Sequence, residues 1–183
     1  GLTGRISYSP DAGGSKAADK ASAASAASAP KGSGWDVTLE ATDGIHGVAG
    51  LTVWAGMSET AQDDTIATYS GDVEESTFAV KYAMGGFTVG YQWSEDDDKG
   101  STIYTTDVYG ASFNVNDVFS VSYQYGETEY DKTANDVTAE FEGVSAAYNI
   151  GPMAIKFTDN SGKNMNGTTN DDDNRELNLS MSF

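Results

Sequence analysis

Bulky and small side chains alternate with a period of two along most of this chain. Phe78, Val80, Tyr82 and Met84 are separated by Ala79, Lys81 and Ala83, and Phe87, Val89, Tyr91 and Trp93 by Thr88, Gly90 and Gln92. The same rhythm returns at Tyr109–Val115, Phe119–Tyr125, Val144–Ile150, Met153–Phe157 and Leu177–Phe183. A helix would space its apolar residues by three and four, whereas successive side chains of a strand point to opposite faces. These segments are strands. Earlier in the chain, Ile6 and Tyr8 mark a strand near Leu2–Ser9 that Pro10 stops. Trp35, Val37, Leu39 and Ala41 mark the next, and Ala49, Leu51, Val53, Ala55 and Met57 a third, which brings the total to ten.

The connections alternate as well. Asp43–Gly47, Gly85-Gly86, Asn116-Asp117 and Gly151-Pro152 are short and carry the residues that tight turns need. Between them lie the polar stretches Pro10–Gly34, Ser58–Val73, Glu95–Thr106, Gly126–Asp136 and Asp159–Arg175. Up-and-down antiparallel strands gather the short turns at one end and the long loops at the other, as in a membrane-spanning barrel. The chain is therefore expected to be one domain over residues 1–183. Residues 10–34 are expected to form a long Ala/Ser-rich loop, or in part a short surface helix over Ala17–Ala27.

Which face is greasy decides the environment. A water-soluble β-protein buries its apolar face and shows Lys, Glu and Arg on the other. Here the interleaved positions are mostly Ala, Gly, Ser and Thr, and charge collects in the long connections. Aromatics gather toward strand ends (Phe87, Tyr91, Trp93, Phe119, Tyr123, Tyr125, Tyr148), where a membrane barrel carries its interfacial girdles. Strands of about 9–11 residues suffice to cross a bilayer at a tilt. The expected class is an all-β, transmembrane, antiparallel up-and-down β-barrel. Its rival is a soluble carbohydrate-binding β-domain with the bulky groups packed in a dry interior.

Charge and chemistry narrow the function. With 28 acidic residues against 10 basic ones the chain carries −18, the wrong sign for a nucleic-acid partner. It has no cysteine, and its one histidine, His46, falls in a tight turn, so no enzymatic activity is expected. The chain opens at Gly1 without an initiator Met or an apolar leader, as a mature form or one lacking an N-terminal part would. Arg5, Asp36, Glu40, Lys81, Gln92 and Lys156 alternate onto the face opposite the bulky residues. They are expected to line a pore, since Lys or Arg in the middle of the lipid band costs about 2–4 kcal/mol. Two acidic runs, Glu95 with Asp96, Asp97 and Asp98, and Asp171, Asp172 and Asp173, are placed on loops. They read as solvated charge, or as weak Ca2+ or Mg2+ sites bridging to lipopolysaccharide, without the ligand spacing of an EF-hand. No other cofactor is expected.

The stretches FAVKYAMGGFTVGYQWSEDDD, DVYGASFNVNDVFSVSYQYGE and VSAAYNIGPMAIKFTDN, with the terminal RELNLSMSF, resemble the C-terminal portion of Gram-negative general porins of the alphaproteobacterial kind. The resemblance is good from about Val73 to Phe183 and weaker before. It implies an outer-membrane homotrimer of 16-stranded barrels, in contact with lipid and lipopolysaccharide. Each barrel would hold a water-filled channel for passive diffusion of small hydrophilic solutes and ions, narrowed by an inward-folded third loop. The terminal Phe183 resembles the assembly signal of such proteins. Sixteen strands need roughly 300 residues, so the chain is expected to be the last ten strands of a longer barrel, with a complete small barrel as the alternative. No segment stands out as the inward-folded loop. The rival function is a barrel whose loops serve as an adhesin or receptor surface.

Overall fold

The computed structural model describes residues 1–10, 31–62, 71–100, 102–132 and 135–181. The expected Ala17–Ala27 helix, most of the expected 10–34 loop and Phe183 lie outside these residues.

Ten strands form a single sheet in sequential order, every neighbouring pair antiparallel. They are β1 (Leu2–Ser9), β2 (Lys31–Ala41), β3 (Leu51–Gln62), β4 (Val73–Met84), β5 (Phe87–Asp97), β6 (Thr102–Asn114), β7 (Phe119–Lys132), β8 (Val137–Ile150), β9 (Met153–Met165) and β10 (Asn170–Met181). One helical turn, α1 (Asp43–His46), joins β2 to β3. Among the described residues β1 and β10 do not pair with each other, so both edges of the sheet are open.

At one end the turns are as tight as their residues suggest. Gly85 (φ 59°) and Gly151 (φ 55°) take left-handed conformations that a side chain would strain. Asn116 folds its own turn, its Oδ1 accepting the amides of Val118 at 3.0 Å and Phe119 at 2.9 Å. The expected Asp43–Gly47 turn is the short helix α1, ended by Gly47 at φ 75°.

The opposite end departs from expectation. β5 and β6 leave only residues 98–101 between them, β7 continues to Lys132, and the β9–β10 connection is residues 166–169. The stretches read as loops at Glu95–Thr106, Gly126–Asp136 and Asp159–Arg175 are thus largely strand, and β2 begins at Lys31 inside the expected first loop. The cause is environmental. In Gly126–Lys132 both faces of the strand carry polar groups, so hydrophobic alternation stops while backbone pairing goes on.

The register puts most of the bulky residues of each strand on one face. One row across the sheet reads Tyr82, Val89, Ala111, Tyr123, Val144, and the next Val80, Tyr91, Tyr109, Tyr125. These groups are not packed inward. Ile6 is 78% exposed and Leu177 72%, while the only buried hydrophobic residues among those described are Val73 and Ala139. The dry interior that a soluble β-domain requires is missing from the described residues. On the other face the Phe141 ring lies over Gly126, where a Cβ would collide with it. That glycine gives the wall room for one inward aromatic.

Candidate functional site

The polar face is concave. A cavity of about 820 Å³ opens on it, lined successively by residues of β2 through β7, among them Thr38, Gly56, Thr77, Gln92, Thr106 and Thr128. Six neighbouring strands enclose one volume only if the sheet curls around that side. The bulky face is then the convex one.

All six residues expected to line a pore fall on the concave face by register. Arg5 stands opposite Thr38, and Asp36 and Glu40 flank Thr38 two positions either way on β2. Lys81 pairs with Thr52 and Gly90, Gln92 with Ala79 and Val108, and Lys156 with Ala147 and Asn178. Tracing the ladders joins these positions onto a single side of the sheet.

Several wall residues escaped the sequence reading. The Trp54 indole donates to Glu40 Oε2 at 2.8 Å, and the Lys81 ammonium stands 5.4 Å from the same ring. One flat side chain thus holds a carboxylate at its polar end and a cation at its face. Nearer the loop end, Asp36, Ser58, Glu75, Asp96, Tyr104 and Tyr130 form one continuous row. Within it Ser7 donates to Asp36, Ser58 donates to Glu75 at 2.7 Å, and the rings of Tyr104 and Tyr130 meet edge-to-face at 5.2 Å. The signal for Trp54 was present in the sequence: it is out of phase with Val53 and Ala55 on its own strand.

The carboxylates of the two acidic runs are directed apart. Asp96 faces the cavity, Asp97 pairs with Lys99 at 2.7 Å, and Asp98 Oδ1 accepts the Gly100 amide at 2.8 Å. Asp171 accepts the Asn164 amide at 3.3 Å, while Asp172 and Asp173 occupy opposite faces of β10, across from Gly162 and Ser161. Carboxylates in sequence on a strand or its tight turn are aimed apart, whereas on a loop they could converge. Among the described residues no three His, Asp or Glu side chains come together to hold an ion. His46 serves its own turn, its Nδ1 accepting the Val48 amide at 3.2 Å. In the β5–β6 turn, hydrogen bonds from Lys99 to Asp97 and Glu74 hold its ammonium well above the usual lysine range, so it stays charged at any physiological pH.

The convex face marks where an apolar layer ends. Tyr91 donates to Asp107 at 2.5 Å, Tyr123 to Glu142 at 3.0 Å, Tyr125 to Glu127 at 3.2 Å, and the Trp35 indole to Glu59 at 3.3 Å. Each ring lies on the apolar band and turns its polar tip toward a carboxylate. That is the behaviour of aromatic residues at a membrane–water boundary. Near the tight turns a second belt includes Phe87, Phe113 and the Phe119–Tyr148 pair, whose rings stand 6.3 Å apart. An apolar face bounded by two aromatic belts, backed by a polar concave face, is a transmembrane barrel wall.

The sequence pattern of the Gram-negative porin family matches residues 1–155. That match takes in the N-terminal strands, where the resemblance noted above was weak, and stops within β9. No curated protein matches the chain. Among solved structures, the outer-membrane expressed OmpT of Vibrio cholerae superposes on 74% of this chain with a TM-score of 0.54 and 16% sequence identity, a likeness of fold. The superposed part is 46% of that protein, so the chain spans about half its length. With its up-and-down strands, its lipid-facing belts and this family match, the chain belongs to the Gram-negative porins of the bacterial outer membrane.

Proposed function

We propose that the protein forms a water-filled channel through which small hydrophilic solutes and ions diffuse passively, sorted by size and charge, without turnover or cofactor. The observation that carries this reading is the cavity of about 820 Å³ on the concave face, lined by Glu75, Gln92, Asp96 and a series of Ser and Thr side chains. We read the sheet as part of a 16-stranded barrel that assembles as a homotrimer among outer-membrane lipid and lipopolysaccharide. The open edges of β1 and β10 support closure by further strands, because each unpaired backbone group in hydrocarbon costs several kcal/mol.

The wall charges favour cations. Asp36, Glu40, Glu75, Asp96, Asp172 and Glu176 face inward against Arg5, Lys81, Lys132 and Lys156. In planar bilayers under a salt gradient, the full-length protein is expected to give stable current steps and a reversal potential of the cation-selective sign. Asp36→Asn, Glu75→Gln and Asp96→Asn together neutralise half of these acids, so that the bases outnumber the acids that remain, and should bring that potential to zero or slightly past it. Strong anion selectivity contradicts the charge assignment. Silence of a correctly inserted protein contradicts the channel and favours an adhesin or receptor barrel.

A further inference from the structure

The last hairpin does not stand upright above its own strands. Asn164 (φ 52°), Asn166 (φ 60°) and Gly167 (φ 63°) all take left-handed conformations, which Asn and Gly tolerate best. The β9–β10 register slips between Asn170 and Asp172, an irregularity that bends a hairpin. The tip leans sideways and is held by two other strands. Asn164 Nδ2 donates to the Thr138 carbonyl on β8 at 3.0 Å, and Lys132 Nζ on β7 donates to the Gly167 carbonyl at 2.8 Å. Gly167 is buried against Tyr130, where a Cβ would stand 2.7 Å from the ring and 2.9 Å from Lys132 Nζ. Ala139, which faces inward on the strand the tip crosses, is only 4% exposed. The result of the lean is that Asn166 lines the main cavity together with Glu75, Asp96 and Tyr104, residues of β4, β5 and β6.

We propose that the β9–β10 tip is a constriction of the channel, latched by Lys132 on the Gly167 carbonyl and seated on Tyr130, with Asn166 presented to passing solute. This rests on the channel reading and adds to it the element that narrows the passage. A backbone latch suits such a role. The ammonium is bound at a fixed point, and the glycine allows the close approach that any side chain would block. The group left facing the cavity is an uncharged amide that can exchange hydrogen bonds with a hydrated solute.

The test uses single channels of the full-length protein. Lys132→Met removes the latch donor, and Gly167→Val drives a side chain into Tyr130. Either should release the tip and raise the conductance step roughly twofold, since the opening widens at its narrowest ring. A second probe does not depend on moving the tip. The chain has no cysteine, so Asn166→Cys offers the one reactive thiol within these strands. A bulky water-soluble methanethiosulfonate should cut the current of that variant sharply and leave Asn135→Cys, at an exposed position just before β8, unaffected. Wild-type steps with unchanged conductance in the two latch variants, and no block of Asn166→Cys by the reagent, overturn the constriction while the channel stands. Absence of wild-type steps overturns the channel itself, and the constriction with it.

Discussion

Ala111→Arg is expected to destabilise the folded protein in lipid by about 2–4 kcal/mol, the cost of a guanidinium facing the middle of the hydrocarbon layer. Ala111 lies on the convex face directly between Val89 and Tyr123. Its neighbour Gly110 points the other way, between Gly90 and Gln124, and a Cβ placed there meets nothing within 4 Å. Gly110→Arg should therefore change stability by no more than about 0.5 kcal/mol, as an unobstructed, solvated substitution does. Denaturant titration of both variants in lipid vesicles gives the comparison directly. The two positions are adjacent on one strand, face opposite ways and receive the same arginine, so the contrast reports chiefly the environment on each side of the wall.

Gly50→Val is the second large effect, and its cause is local geometry. Gly50 takes φ 80°, and a Cβ built on it collides with the Ala83 carbonyl oxygen of the neighbouring strand β4. The same residue accepts the Ala83 amide at 2.9 Å, so this glycine pins the β2–β3 connection to the end of β4. A valine there adds left-handed strain to a steric clash, and a loss of about 3 kcal/mol or more is expected. Gly47 makes the matched control. Its φ is 75°, yet a Cβ there has open space, so Gly47→Ala should show the conformational part alone, about 1–2 kcal/mol. Equal losses in the two variants, measured by the same titration, contradict the close-approach account.

Strand number, order and facing were legible in the sequence because lipid on one side and water on the other impose a strict period of two. Arg5, Asp36, Glu40, Lys81, Gln92 and Lys156 could be assigned to the concave face from parity alone. Strand length was not legible where both faces carry polar groups: in Glu127, Thr128 and Glu129 nothing in the hydrophobic pattern separates a strand from a loop. For the same reason the runs Asp96–Asp98 and Asp171–Asp173 read as loop residues, although Asp96, Asp97 and Asp171–Asp173 lie on strands. Trp54, Tyr104 and Tyr130 were overlooked because an aromatic in such a chain is first read as part of a lipid-facing belt. The leaning tip is a harder case. The dipeptide Asn166-Gly167 announces a reversal of the chain, but the contacts that pull it inward, with Lys132, Tyr130 and Thr138, come from strands more than 25 residues away in the chain.

Alternate residues of each strand face lipid and water, and β6 offers the cleanest place to measure that arrangement. Single cysteines introduced from Val108 to Phe113 into this cysteine-free chain, in intact outer membranes, can be challenged with a membrane-impermeant thiol reagent. Cysteines at positions 108, 110 and 112 should react, and those at 109, 111 and 113 should stay protected until the membrane is dissolved. Protection at 108, 110 and 112 with reaction at 109, 111 and 113, or uniform reaction along the strand, would contradict it.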